Sequence, residues 1–279
     1  MMRVACLLTL SILSTCSGIP IELENRADLI LNYKNLTEFD VSSATLTEVI
    51  YLSLQGNNLI TFPRYINHDL PEVERIKLTD NPRITFPSDG SPFLISWSLI
   101  ELELESCGIQ EIYNESLSCL YKMEEINMGS NLIKQIDKDA FRENHNLRKI
   151  DLSNNNLATV PINMLKGLER MKEIDFSYNR NLAARLNRPF LMSNTLQILK
   201  CSYCGFRETT EITFAYLPNL RELRLEGNLL LRVPVLLIPN IVVIGKDPDS
   251  VMTNCRILAS RVSKDHMKND EFICTLLFL

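Results

Sequence analysis

One frame of residues recurs along most of this 279-residue chain and constrains its fold more than any other feature. From Val49 the sequence reads Val-Ile-Tyr-Leu-Ser-Leu-Gln-Gly-Asn-Asn-Leu, ending at Leu59. The same pattern of apolar positions restarts at Val73, Leu99, Met123, Leu147, Met171, Leu196 and Leu220, at spacings of 24, 26, 24, 24, 24, 25 and 24 residues. A degenerate earlier copy runs through Leu29, Leu31, Lys34, Leu36 and Phe39, and a decayed later one through Ile241 and Ile244. Units of this length cannot bury an apolar face alone, so they stack into one array whose terminal copies are atypical.

Each position of the frame has a physical role. Apolar and polar residues alternate at period two, which makes a short strand with alternate side chains in the core. Leu152 and Leu225 therefore point in, and Asp151 and Arg224 point out. The asparagine that closes the frame (Asn57, Asn131, Asn155, Asn179, Asn228) leaves the strand into a turn. There its amide can satisfy backbone groups that would otherwise be buried unpaired, and stacked amides build a ladder. Leu59, Phe62, Ile133, Ile136, Leu157 and Val160 then carry the chain back under the core. Pro63, Pro87, Pro161 and Pro234 follow such apolar residues, where no strand pairing needs their missing donor. Pro82 after Asn81, the segment from Pro87 to Pro92, and the segment from Arg185 to Pro189 predict local bulges within the array.

The frame resembles the extracellular leucine-rich-repeat family of the roughly 24-residue type, over nearly all of the chain after its leader. The resemblance implies an α/β solenoid with a curved parallel β-sheet on the concave side and an irregular or short-helical convex side. It also implies a protein-binding role. Among the kinds of relative in that family are Toll-type ectodomains, matrix proteoglycan cores and the secreted leucine-rich immune molecules of insects. The chain is most similar in kind to the coil-less members of the last group. Its expected organisation is a signal peptide over 1–18, a cap and degenerate repeat over 19–48, repeats over 49–244 and a C-terminal cap over 245–279. The expected function is a secreted protein-binding module of extracellular recognition or innate immunity, with a structural matrix protein as the alternative.

The compartment follows from the first residues. Arg3 precedes an apolar run from Val4 to Leu13, and small residues follow to Gly18, which is the pattern of a secretory leader cleaved after Gly18. That run is too short to span a bilayer, for which about twenty residues are needed. A secreted, extracellular location makes the sequons at Asn35 and Asn114 candidate glycosylation sites. A net charge of −5 with mixed signs predicts no basic footprint, so neither nucleic acid nor membrane insertion is expected.

Loss of the leader removes Cys6 and Cys16 and leaves six cysteines. Cys107 and Cys204 take the ladder position, which the family pattern writes as Asn or Cys, and Cys201 takes a core position of its strand. These three read as small buried residues, and Cys201-Ser-Tyr-Cys204 reads as repeat register instead of a redox or zinc motif. Four strands at about 4.8 Å keep Cys107 and Cys204 roughly 19 Å apart, beyond the ~7 Å limit of a bridge. Cys119 falls off the apolar frame and is left open between a bridge to Cys107 and one to a partner chain. Cys255 and Cys274 lie past the last clear repeat, where a disulfide would close a capping loop of about twenty residues and contribute roughly 3 kcal/mol.

No catalytic constellation emerges. His68, His145 and His266 have no metal spacing, and no nucleophile elbow or phosphate-cradling loop occurs, so no enzyme activity, metal or cofactor is expected. Binding is expected on the outward strand residues instead. They form an acidic centre, Glu101, Glu103, Glu105 and Glu125 with Asp151 and Asp175, between basic flanks. Pairs across neighbouring strands, Arg75 with Glu101, Lys77 with Glu103, Glu125 with Lys149 and Asp175 with Lys200, account for part of this charge. The glutamates in excess favour an extracellular protein partner with a cationic patch.

Overall fold

The structure, a computed structural model, describes residues 28–40, 46–230 and 242–244. The leader, the cap with Cys255 and Cys274, and His266 lie outside the described residues. Twelve short strands follow one another: β1 (Asp28–Ile30), β2 (Tyr51–Ser53), β3 (Arg75–Lys77), β4 (Glu101–Glu103), β5 (Glu111–Ile112), β6 (Glu125–Asn127), β7 (Gln135–Ile136), β8 (Lys149–Asp151), β9 (Glu173–Asp175), β10 (Ile198–Lys200), β11 (Glu222–Arg224) and β12 (Val242–Ile244). Ten of them form one parallel sheet in the order β1-β2-β3-β4-β6-β8-β9-β10-β11-β12. Each coil of the solenoid adds one strand beside the last.

Register is uniform because the frame is. The middle residues Leu52, Ile76, Leu102, Ile126, Ile150, Ile174, Leu199 and Leu223 are Cα partners from strand to strand, and all are buried. A one-residue slip would expose this entire column. A second buried column, Leu54, Leu78, Leu104, Met128, Leu152, Phe176, Cys201 and Leu225, follows two residues on. Each such side chain contributes about 1.5 to 3 kcal/mol on burial, and a three-residue strand retains none of that away from its neighbours.

The asparagine ladder is continuous. Asn155 Nδ2 donates to the carbonyls of Met128 (3.0 Å) and Leu152 (3.1 Å), while its Oδ1 accepts Ile133 N–H at 2.9 Å. Asn57, Asn131, Asn179 and Asn228 repeat the arrangement, and Asn81 joins them although Pro82 follows it. At the two substituted rungs a thiol takes over the donation. Cys107 Sγ reaches Leu78 O at 3.4 Å and Cys204 Sγ reaches Phe176 O at 3.2 Å. Cys107, Cys119, Cys201 and Cys204 are all free thiols, so the bridge left open between Cys107 and Cys119 is not formed.

The convex side is the irregular one of the two forms expected. It consists of turns, the two-stranded sheet of β5 and β7, and a bridge between Tyr65 and Ile95, with no α-helix among the described residues. The bulge from Pro87 to Pro92 is flanked by Phe86 and Phe93, whose rings meet edge-on at 5.3 Å. Phe190 anchors the second irregular segment against Phe176 and Phe206 at 5.9 and 5.2 Å.

Candidate functional site

The outward residues of the sheet stand in three columns set by the strand register. The first contains Tyr51, Arg75, Glu101, Glu125, Lys149, Glu173, Ile198 and Glu222. Here Glu101 is the direct partner of Glu125, so two carboxylates lie side by side on β4 and β6. Neither makes an ion pair among the described residues. Arg75, the cation expected to pair with Glu101, turns back over the Tyr51 ring at 5.1 Å. Burial, then Glu103 and Glu125, push the Glu101 carboxyl above the usual carboxylate range, against the pull of Arg75 and Lys149.

The second column is largely neutralised. Lys77 Nζ meets Glu103 Oε2 at 2.8 Å, both half-buried, and Lys200 Nζ meets Glu173 at 2.5 Å and Asp175 at 3.9 Å. Two acids in this column also hold backbone. Asp151 Oδ1 accepts Ser153 N–H and Asp175 Oδ1 accepts Ser177 N–H, both at 2.8 Å, as Asn127 Oδ1 does for Gly129 N–H at 2.9 Å. Burial is the main cause that raises the Asp175 pKa, with the Ser177 bonds acting against it. In the third column, which runs from Gln55 and Thr79 through Glu105 to Glu226, the Glu105 carboxylate accepts a long bond from Asn127 Nδ2, 3.5 Å, and no other among the described residues.

The expected acidic block thus separates by environment. Glu101 and Glu125 on neighbouring strands, with Glu105 in the turn after β4, present negative charge that no ion pair neutralises among the described residues. Glu103 is occupied by Lys77, and Asp151 and Asp175 brace the turns after their strands. The expected sequons both have exposed asparagines: Asn35 bonds Asn58, and Asn114 follows β5 on the convex side.

The repeat frame finds its counterpart in known proteins. The family described as Leucine rich repeat matches residues 98–157. Tsukushi of Xenopus tropicalis is 30% identical over 191 residues, 68% of this chain and 49% of Tsukushi. The chain is a leucine-rich-repeat protein. Toll-like receptor 4 of Equus caballus is 25% identical over 209 residues, 74% of this leucine-rich-repeat chain and 23% of the receptor. The chain therefore spans about half the length of Tsukushi and about a quarter of that receptor. Among solved structures, internalin C2 of Listeria monocytogenes aligns at 16% identity with a TM-score of 0.44, over 75% of this chain and 80% of that one.

Two features of this leucine-rich-repeat protein escape a reading confined to the frame. Before each ladder residue the backbone is left-handed, at Gly56, Asp80, Ser106, Ser130, Asn154, Tyr178, Tyr203 and Gly227, as it is at Tyr33 before Lys34 of the degenerate copy. Tyr178 and Tyr203 stack there at 4.9 Å with their rings 7° from parallel. The second feature is a basic groove at the opposite ends of the strands, with Arg148, Arg170, Lys172 and Arg221 in its lining. Net charge and mixed signs along the chain pointed to no basic footprint, because these residues come from separate coils that only the stack brings together. Among the described residues no three His, Cys, Asp or Glu side chains converge as a metal site, and no helix is long and apolar enough to cross a membrane.

Proposed function

We propose that this protein is an extracellular recognition module that binds a cationic patch of a protein partner through the acidic centre of its strand face. The observation that carries this reading is the pairing of Glu101 with Glu125 on adjacent strands, with Glu105 on the same face and no ion pair to any of the three among the described residues. Like charges opposite each other destabilise a sheet, and a partner cation offsets that cost on binding. The leader pattern of the first eighteen residues supports an extracellular setting, and similarity to Toll-like receptor 4 on one side and to osteomodulin of Bos taurus on the other is compatible with a role in innate recognition and with a structural role in matrix. Induction of the transcript by infection separates the two settings.

The surface is tested by pull-down from extracellular fluid with wild type, Glu105→Lys/Glu125→Lys, and Glu143→Lys as a convex-side control. The same partner should be retained by wild type and control and lost from the double variant. Equal retention by all three proteins, or loss only from the control, overturns the assignment. Glu103 is left intact because its reversal would break the ion pair to Lys77 and confound binding with stability, whereas Glu105 and Glu125 make no ion pair among the described residues.

A further inference from the structure

The basic groove lies on the leading edge of the sheet, where the chain enters β8, β9, β10 and β11. One residue per coil stands immediately before each strand: Arg148, Lys172, Gln197 and Arg221. Backbone bonding fixes this row. Arg148 O accepts Lys172 N–H (2.9 Å) and Glu173 N–H (3.0 Å), Lys172 O accepts Gln197 and Ile198 N–H (both 2.9 Å), and Gln197 O accepts Arg221 N–H (2.7 Å) and Glu222 N–H (3.0 Å). Each carbonyl serves two donors of the next coil, so the side chains are held at the strand repeat of about 4.8 Å.

The groove encloses about 550 Å³ and adds Arg170 and Asn219 to that row. Its carboxylate is Glu169. Arg148 is partly satisfied by Glu124 at 3.1 Å, but Arg170, Lys172 and Arg221 are exposed and form no ion pair among the described residues. Three uncompensated cations thus share one polar channel. Its apolar member, Met171, is buried and offers no slot for a lipid chain. Among the described residues no aromatic side chain lines it, whereas single-stranded nucleic acid is held by stacking on such platforms. Trp97 and Tyr121, exposed on the same edge, lie outside the groove. Guanidinium groups bind planar or tetrahedral oxyanions in bidentate fashion, and the amides between them suit sugar hydroxyls.

We propose that this leading-edge groove binds a sulfated polysaccharide chain, with Arg170, Lys172 and Arg221 taking successive sulfate or carboxylate groups. An open groove with two cations on the coil of β9 and a third two coils further on fits a linear polymer that carries charge along its length. The site is separate from the acidic strand face, so the two ligands do not compete for residues.

The test is calorimetric titration of the full chain with a fully sulfated heparin hexasaccharide. Its desulfated counterpart and a single-stranded oligonucleotide of equal charge form parallel arms. Wild type should bind the sulfated hexasaccharide with an affinity that falls with salt, and should not bind the desulfated one. Arg170→Gln/Lys172→Gln/Arg221→Gln should weaken binding at least tenfold with an unchanged circular dichroism spectrum, because all three side chains are exposed. Lys138→Gln on the convex side, and Glu105→Lys/Glu125→Lys on the strand face, should not weaken it. No binding by wild type, equal weakening by Lys138→Gln, or tighter binding of the oligonucleotide than of the hexasaccharide overturns the proposal.

Discussion

Glu101 illustrates how one residue carries the tension of the strand face. Its carboxyl is raised above the ordinary range chiefly by burial, then by Glu103 and Glu125. A carboxyl raised on folding binds more protons in the native state than in the unfolded one as pH rises from the unfolded value, about 4.3, to the folded value. Stability from this group therefore falls through that window, and the deficit persists at neutral pH. Glu101→Gln removes the charge and keeps the shape, so it should stabilise the protein at pH 7 by a few tenths of a kcal/mol to about 1 kcal/mol. The gain should vanish near pH 3.5, where the carboxyl is protonated in both states. Urea denaturation at the two pH values measures it, and a destabilised variant at pH 7 or a pH-independent gain contradicts the assignment. The charge pattern itself was legible in the sequence, since period two puts Glu101, Glu103 and Glu105 on one face. Which acids are neutralised was not, because Arg75 had two acceptable partners and only packing turns it to Tyr51 instead of Glu101.

The same division holds for the elements. Strand positions and ladder rungs could be read directly, because their apolar and amide residues recur at fixed offsets. Even the thiol rungs at Cys107 and Cys204 were legible from register. The convex side was not fixed as helical or irregular, since its segments are too short for a helical period to show. The left-handed position before each rung was equally hidden, as it accepts Tyr, Asp, Ser, Asn and Gly alike. Its demands appear only in the stack. Gly227 has a φ of +66°, and a Cβ there would lie 2.4 Å from Cδ1 of Tyr203, whose ring is stacked on Tyr178. Gly227→Ala should cost roughly 1 to 2 kcal/mol through backbone strain and displacement of that ring. In a Tyr203→Ala background the same change should cost clearly less, because the steric part is gone. Thermal denaturation of the four proteins gives the coupling, and strictly additive losses would rule out the ring contact as a cause.

At the scale of the molecule, the solenoid is a one-dimensional stack in which each coil contacts only its neighbours. The ladder is one of the ties between them. Asn155 donates to carbonyls of its own coil (Leu152, Ser153) and of the coil before (Met128), and accepts from Ile133 of that preceding coil. Asn155→Ala would leave several buried backbone groups without partners, at a cost of roughly 3 kcal/mol when about 1 to 3 is assigned to each group and relaxation recovers part. Because the loss falls at an interface in mid-array, it should weaken coupling between the two halves and not only total stability. The single tryptophan, Trp97, lies on the N-terminal side of that interface and reports its half by fluorescence, while circular dichroism reports the whole. In wild type the two urea transitions should coincide. In Asn155→Ala they should separate, with part of the dichroic change occurring at a different urea concentration from the fluorescence change. Asn57→Ala, which makes equivalent bonds near the end of the array, should shift both probes together, since the coils beyond it towards the C-terminus keep their ladder intact. If the two probes move together in Asn155→Ala as well, the array unfolds as one cooperative block, and the ladder contributes stability without setting where the stack divides.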